Sequence, residues 1–256
     1  FYSLLILGCV SLKDLKENEY LLEKNVIVKN DKELIKDPLY LLLKGKPNKK
    51  ILGIPLEMYL YNLSNSKSDS KLNPKRNKNR FNNWLKNNGE APVLIDSNTI
   101  EKNLSRIKQY FKNQGFFNAK VRFETKYFDN KKALVKYIAN TNELYQIDTI
   151  TTNIASTDLD SLYKTEDSQK LIISGNPFEI KILEAERNRL TNFFRNKGIY
   201  NFQQNSLRFT AAIDSSGKDT KIPVTIEISN LQKRENDTLK FVPYKIHKIK
   251  KINLYV

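Results

Sequence analysis

The chain of 256 residues is 39% hydrophobic and 28% charged, and it contains only 8 Gly and 8 Pro. This composition argues against a disordered chain, and the length allows two domains of ordinary size. Lys and Arg number 44 against 28 Asp and Glu, which gives a formal charge of +16. With one His and one Cys, a single chain cannot assemble a zinc site, a thiol–imidazole pair or a disulfide.

Catalytic motifs are also missing from the sequence. There is no G-x-S-x-G nucleophile motif, no phosphate-binding loop and no G-x-G-x-x-G dinucleotide motif. The carboxylates are scattered through faces of mixed charge, where solvation is the ordinary role of such side chains. We therefore expect neither an enzyme nor a bound cofactor or metal.

Residues 1–19 are predicted to be the remnant of a signal peptide followed by a lipobox and a linker. Phe1–Leu7 is apolar but far too short to span a bilayer. Ile6-Leu7-Gly8-Cys9 resembles a bacterial lipobox, in which Cys9 becomes the acylated first residue. Acyl chains on Cys9 would anchor the protein to a membrane and indicate the periplasm. The alternative is a buried structural cysteine in a first strand.

Residues 20–144 are predicted to form a first unit in the order strand, helical segment, helix, strand, strand. The stripe that predicts the helix has apolar residues at i, i+4, i+7 and i+11, namely Ile100, Leu104, Ile107 and Phe111. Gly115 follows where a left-handed residue ends a helix. Alternating runs at 119–127 and 133–139 predict a hairpin. The polar stretch 64–88 is predicted to be a disordered insertion.

Residues 145–243 are predicted to form a second unit on the same plan. The sequence "RIKQYFKNQGFFN" at 106–118 recurs without a gap as "RLTNFFRNKGIYN" at 189–201. The start of the unit recurs too, because Tyr145, Ile147 and Ile150 have the same spacing as Tyr244, Ile246 and Ile249. Residues 244–256 are therefore predicted to be the first strand of a third unit. The predicted class is α+β, each unit having a three-stranded sheet with two helices on one face.

This order of elements resembles polypeptide-transport-associated (POTRA) domains, which have a β-α-α-β-β fold. Four stretches carry the resemblance, namely "GFFNAKV" at 115–121, "GIYNF" at 198–202, "SGNPF" at 174–178 with Glu186 and Arg189 after it, and "KPNKKILGIPLEMYLYNL" at 46–63 with "NGEAPVLID" at 88–96. The last is similar to the first such domain of BamA/TamA-type outer-membrane assembly proteins, especially the lipid-anchored TamA-like branch. The resemblance covers about residues 20–256.

The resemblance implies a periplasmic arm at the outer membrane that takes part in protein assembly or translocation. Its partners would be unfolded β-rich outer-membrane clients and an accessory protein similar to TamB. Attachment to the outer membrane would come from the lipid anchor and from a C-terminal β-barrel that this chain does not include. Insertion activity would therefore need more than this chain.

Clients would bind by β-augmentation, in which an exposed strand edge offers unpaired N–H and C=O groups to an extended guest. The strands expected at the sheet margins supply the candidate residues, which are Val121, Phe123, Thr125 and Tyr127 in the first unit and Leu207, Phe209, Ala211 and Ile213 in the second. The alternative is that these edges are solvated or covered by a neighbouring domain.

A different class of function is a basic adaptor that binds anionic lipid headgroups or nucleic acid through residues 44–88. Eleven Lys and Arg residues stand in this region against two acids, Glu57 and Asp69. A nucleic-acid surface needs its charges on a rigid scaffold, and much of this region is predicted to be disordered. We therefore expect no nucleic-acid partner.

Overall fold

The computed structural model describes residues 15–35, 38–65, 78–166, 170–214 and 216–252. Within these ranges, only the backbone is described for residue 65 and residues 78–82. The chain divides into two compact units, one comprising Phe1–Gln109 with Lys120–Asn140 and the other Tyr110–Ala119 with Thr141–Val256. Cys9, the predicted lipid-anchor residue, lies outside the described residues.

The first unit contains a mixed sheet. Its strands are β1 (Leu21–Lys29), β2 (Lys32–Glu33), β3 (Lys120–Phe128) and β4 (Lys132–Asn140), in the spatial order β2-β1-β4-β3. β1 runs parallel to β4, whereas β2 and β3 pair antiparallel with their neighbours. Three strands were predicted. The short β2 is added because Asn30 and Asp31, at φ 46° and 64°, form a two-residue hairpin loop.

The helices of the first unit are α1 (Leu56–Asn65), α2 (Lys78–Asn88) and α3 (Ser97–Asn113), and a 3₁₀ helix spans Pro38–Leu42. The prediction of disorder through residue 88 is wrong for α2. Composition alone misses that the helix has an apolar residue to bury, Leu85, which is 5% exposed. Gly89 lets the chain after α2 pass close to α1, since a Cβ there would lie 2.5 Å from the backbone N of Tyr61. Residues 66–77 of the predicted insertion lie outside the described residues.

The core of the first unit lies against one face of β4. Alternate residues of β4 are buried, namely Ala133, Val135, Tyr137 and Ala139, as the period of two in a half-buried strand requires. Asn103 of α3 is a buried polar residue in this core, at 1% exposure. Its side chain donates to Tyr137 Oη at 2.9 Å and to Lys44 O at 2.9 Å, and accepts from Lys44 N–H at 2.8 Å. These bonds fix the segment around Lys44 to α3.

The second unit has the same order of main elements, without counterparts of β2 and α2. It contains β5 (Gln146–Ile154), α4 (Thr157–Thr165), α5 (Ile180–Asn196), β6 (Leu207–Ala211) and β7 (Lys221–Ile228), with the sheet order β5-β7-β6. β5 is parallel to β7, and β6 is antiparallel to it. In both units the last of the three main strands is therefore central and the second stands at the margin. The predicted α+β class and β-α-α-β-β order are confirmed.

Both helices of the second unit cover the same face of its sheet. The buried residues of β7 alternate along the strand and are Ile222, Val224, Ile226 and Ile228. Leu159 and Tyr163 of α4 share a cluster with Leu190 and Phe194 of α5, and Ile226 and Ile228 lie in that same cluster. This arrangement agrees with the predicted pair of helices on one face.

The repeated glycines explain why the same sequence ends α3 and α5. Gly115 and Gly198 have φ values of 87° and 98°, as predicted for left-handed residues after a helix. In each case a later segment passes so close that a Cβ would clash. The C=O of Gly115 accepts a hydrogen bond from Tyr145 N–H at 3.0 Å, and that of Gly198 accepts one from His247 N–H at 2.8 Å.

The described residues 243–252 pair with no described strand, and the assignment of 244–256 to the first strand of a third unit stays a prediction. The predicted register, however, is displaced by three residues. His247, not Tyr244, occupies the position that Tyr145 takes earlier, since each bonds to the repeated glycine. Tyr244 instead packs in the second unit's core at 2% exposure.

A two-stranded hairpin, β8 (Leu231–Glu235) and β9 (Thr238–Val242), follows β7 and was not predicted. Asn236 and Asp237 form its loop at φ 47° and 60°. Both types of residue tolerate the left-handed region, so this pair was the available signal for the turn.

Candidate functional site: the open strand edges

The outer edge of β3 is unpaired, since within the described residues β3 pairs with β4 alone. The C=O of Ala139 accepts a hydrogen bond from Asn30 N–H on the β1 side, so odd-numbered residues of β4 face β1. Even-numbered residues of β4 therefore face β3, and the register places them opposite even-numbered residues of β3. The backbone groups that point away from the sheet belong to the four residues predicted from sequence, Val121, Phe123, Thr125 and Tyr127.

The side chains of β3 divide by charge between its two faces. The even-numbered residues are mostly charged and include Lys120, Arg122, Glu124 and Lys126, of which Arg122 and Glu124 form an ion pair. A hydrogen bond from Arg122 holds the pKa of Glu124 below its ordinary value. Phe123 and Tyr127, on the other face, are 44% and 55% exposed. Lysine on an edge strand discourages unselective pairing between sheets.

The outer edge of β6 is unpaired in the same way. Ser229 N–H donates to Ser206 O at 2.9 Å, which fixes the even-numbered residues of β6 as those bonded to β7. The outward backbone groups belong to Leu207, Phe209 and Ala211. The fourth predicted residue, Ile213, lies beyond the strand. β6 ends early because the Asp214 carboxylate accepts hydrogen bonds from Ser216 N–H and Asp219 N–H and turns the chain.

Leu207 and Phe209 direct their side chains toward the core, so the groups that this edge exposes are mainly backbone groups. Arg187 of α5 lies beside it, with its guanidinium 5.4 Å from the centroid of the Phe209 ring. The Nε of Arg187 is buried and has no hydrogen-bond partner among the described residues. Sequence reasoning missed Arg187, and no motif marks it.

The opposite edge of the first unit's sheet is covered. β1 is bonded on its outer side by the segment 93–95, through Leu22 N–H to Val93 O at 2.8 Å and Ile95 N–H to Tyr20 O at 2.9 Å. Further along, Ile27 N–H donates to the Tyr40 hydroxyl at 2.9 Å. Of the three main strands described in this sheet, β3 is therefore the one whose outer edge is open, whereas the two-residue β2 forms a short edge beside the end of β1.

In the second unit, β5 is covered only at its start. Ile147 N–H donates to Asn176 O at 2.9 Å, and Gly175 N–H donates to Ile147 O at 2.7 Å. Beyond a bulge after Ile147, the described residues pair with β5 on the β7 side alone. The later part of β5 is a third open edge, which the sequence analysis did not single out.

A buried ion network holds α5 in place beneath this sheet. Glu186, 1% exposed, receives two hydrogen bonds of 2.8 Å from Arg189 and one of 3.1 Å from Leu171 N–H. Arg189 also donates to Glu166 at 2.6 Å. The hydrogen bonds that Arg189 donates to Glu186 raise the pKa of Arg189 above its ordinary value. The network ties the loop after α4 to α5.

Within the described ranges, no three His, Cys, Asp or Glu side chains are grouped so that they could hold a metal ion. Among the helices in the same ranges, none combines the length and apolarity required to cross a membrane.

No family model matches the sequence, and no curated protein matches it. Solved structures that resemble the chain include POTRA domains 3–5 of BamA from Haemophilus influenzae, with 12% identity and a TM-score of 0.37, over 81% of this chain and 65% of that one. BamA from Haemophilus ducreyi lacking POTRA domains 1–3 gives 15% identity and a TM-score of 0.33, over 56% of this chain and 25% of that one. POTRA domains 1–2 of Omp85 from Anabaena give 10% identity and a TM-score of 0.30, over 85% of this chain and 100% of that one.

Proposed function

We propose that this chain is the periplasmic arm of an outer-membrane protein assembly or translocation factor. In this proposal POTRA-like units at 20–144 and 145–243 receive extended, β-rich clients on the open edges of β3 and β6. The observation that carries the proposal is that the second of the three main strands is an open edge in both units. The motifs at 115–121, 174–178 and 198–202 support the same family of domains.

The proposed chemistry is backbone pairing. Every second residue of β3 presents an N–H donor and a C=O acceptor outward, and each hydrogen bond to a guest contributes about 1 kcal/mol net. Ordering the guest offsets much of this gain, so we expect weak, reversible capture. Because the pairing uses groups common to all residues, one edge can hold many different client sequences.

Attachment and partners complete the proposal. Acyl chains on Cys9 hold the arm at the periplasmic side of the outer membrane, where clients arrive unfolded. An accessory protein similar to TamB shares the arm. Arg187 beside Phe209 gives the β6 edge a cation for a carboxylate of the guest.

The test removes one outward donor from the edge. The N–H of Thr125 points away from β4, so Thr125→Pro removes it without breaking a bond of the sheet. Thr125→Val keeps the N–H and is the matched control. We expect photocrosslinking of an unfolded outer-membrane protein to β3 to fall several-fold in the proline variant only.

The same pair of changes at Ala211 tests β6. Circular dichroism establishes that each variant is folded. Crosslinking at the level of the original protein in folded Thr125→Pro and Ala211→Pro variants would rule out both edges.

A further inference from the structure

The turns that follow α3 and α5 make the same ring contact, and both contacts lie within the second compact unit. After α3, the ring of Phe117 lies 5.2 Å from that of Tyr145, at an angle of 75°. After α5, the ring of Tyr200 lies 4.8 Å from that of His247, at the same angle of 75°. We call Phe117 with Tyr145 the first ring pair and Tyr200 with His247 the second ring pair.

The first ring pair is partly covered by another segment of the unit, whereas the second is open. Phe178, from the segment before α5, places its ring 5.6 Å from that of Phe117, and Phe117 is half-buried. Its counterpart Tyr200 is 68% exposed. The preceding glycines differ in the same way, since Gly115 is buried and Gly198 is half-buried. The second ring pair therefore exposes an aromatic surface that the first pair shields.

The polar groups beside the two ring pairs show the same difference. Asn118 donates to Tyr145 Oη at 2.7 Å, and that hydroxyl donates to Asp214 O at 2.8 Å. Asp214 lies between β6 and β7, so the loop of this hairpin closes over the first ring pair. Asn201 is the counterpart of Asn118, and its Oδ1 is buried with no hydrogen-bond partner among the described residues. A buried acceptor of this kind is unfavourable until a donor reaches it.

The chain after the second ring pair has apolar residues where a first strand needs them. Counted from the residue that bonds to each repeated glycine, Ile249 and Ile252 correspond to Ile147 and Ile150 of β5. Ile147 is 2% exposed, and Ile150 packs against the core of the unit. Ile249 and Ile252 are 82% and 72% exposed. Two apolar side chains thus lie in solvent at positions that β5 uses for core contacts.

Both described units bring the same two segments to the residue that begins them. Ile95 N–H donates to Tyr20 O, and Phe178 N–H donates to Tyr145 O, each at 2.9 Å. The loop of each unit's hairpin accepts a hydrogen bond from the next residue along the chain, also at 2.9 Å. A unit that begins at His247 would bring its own two segments to the second ring pair.

We propose that the second ring pair is the docking surface for a further unit of the same plan, which begins at His247 in the same chain. The segment before the second helix of that unit covers Tyr200, and the loop of its hairpin reaches Asn201. Its central strand pairs in parallel with residues 248–252, as β7 pairs with β5.

The contacts of His247 favour this occupant over a second copy of the protein. His247 N–H already donates to Gly198 O at 2.8 Å, so the chain itself fills the position that the first residue of an incoming unit would need. The proposal extends the sequence prediction of a third unit by naming the surface that holds it. It does not depend on client binding at β3 or β6.

The experiment adds the proposed occupant to the full chain. In the extended protein, a second copy of residues 146–242 takes the place of everything after His247, so the sequence of the second unit supplies the strand, the covering segment and the hairpin loop. Trp84→Phe removes the single tryptophan, and Tyr200→Trp then places an indole in the second ring pair. Phe117→Trp with Trp84→Phe, in the chain of original length, is the matched control for a covered ring pair.

We expect acrylamide to quench the Tyr200→Trp variant strongly in the chain of original length and several-fold less in the extended protein. Quenching in the extended protein should approach that of the Phe117→Trp control, and the emission maximum should move to shorter wavelength. A second extended protein, in which the copy follows Tyr244 instead of His247, displaces the register by three residues. Its indole should stay exposed.

Equal quenching of the Tyr200→Trp variant in the original and extended proteins would overturn the proposal. So would an added copy that circular dichroism shows to be unfolded, because that copy contains the helices and sheet strands of the second unit. Shielding in the chain of original length that rises with protein concentration would place a second copy on this surface instead. Client crosslinking is measured at Thr125 and Ala211, so this test and that of the proposed function fail separately.

Discussion

Replacement of Glu186 by alanine should destabilise the second unit strongly. The change removes the two hydrogen bonds that Glu186 accepts from Arg189 and the one that it accepts from Leu171 N–H. The guanidinium of Arg189, which is 16% exposed, then has Glu166 as its remaining acidic partner in the network. Removing one partner of a buried pair costs about 3 to 5 kcal/mol, and the partial exposure of Arg189 favours the lower end. We therefore expect a loss of about 3 kcal/mol, or about 10 °C in Tm.

The assay is urea unfolding followed by far-UV circular dichroism. Trp84, the only tryptophan, lies in the first unit, so its fluorescence reports on the unit that the change does not alter. The double change Glu186→Leu with Arg189→Leu should cost less than the sum of the two single changes, since it removes both members of the Glu186–Arg189 pair and leaves only Glu166, which is 16% exposed, without its partner. A loss below about 0.5 kcal/mol for Glu186→Ala, or additivity in the double variant, would show that this network is not what holds α5.

Two further predictions follow from the backbone and from a helix cap. Gly198→Ala should destabilise the protein more than Gly175→Ala, because both residues have positive φ but only the new Cβ at 198 meets an atom, the C=O of His247 at 2.9 Å. Equal losses of unfolding free energy in the two variants would contradict the proposed close approach. Asp96 caps α3 by accepting hydrogen bonds from the hydroxyl and N–H of Thr99, which hold its pKa below its ordinary value. A depressed folded-state pKa stabilises above the unfolded-state pKa, so this contribution should fade as pH drops from about 5 to about 2, and an Asp96→Asn variant should lack that dependence.

Much of the architecture could be predicted because the pattern that specifies it is local. The stripe Ile100, Leu104, Ile107 and Phe111 and the alternation in β4 and β7 correspond directly to buried faces. The residues named for β3 and β6 share one face of each strand because side chains alternate with a period of two. That period does not determine which alternate residues have backbone groups pointing outward, and the pairing with β4 and β7 supplies this information.

The features that the sequence did not predict depend on tertiary context. α2 has mostly polar residues, and the burial of Leu85 depends on packing against α1, which the sequence of α2 alone does not reveal. The predicted register at 244–256 was wrong because the sequence pattern matched Tyr244 to Tyr145. Only the hydrogen bond from His247 N–H to Gly198 O shows that His247 is the residue that corresponds to Tyr145. Arg187 has no neighbour in sequence that marks it, since its contact is with Phe209 across the helix–sheet layer.

Some strand edges in the described residues are covered by other segments, whereas others are open. The segment 93–95 is hydrogen-bonded to the start of β1, and Gly175 and Asn176 are hydrogen-bonded to the start of β5. These two unrelated sequences each pair backbone groups that would otherwise be unpaired. The chain thus has the means to cover an edge in either unit, yet it leaves β3 and β6 open. The face of β3 that carries Lys120, Arg122, Glu124 and Lys126 has a net positive charge, which disfavours pairing between two copies of the same edge. For the proposed client binding, this net charge makes a strand of different sequence a more favourable partner than a second copy of β3.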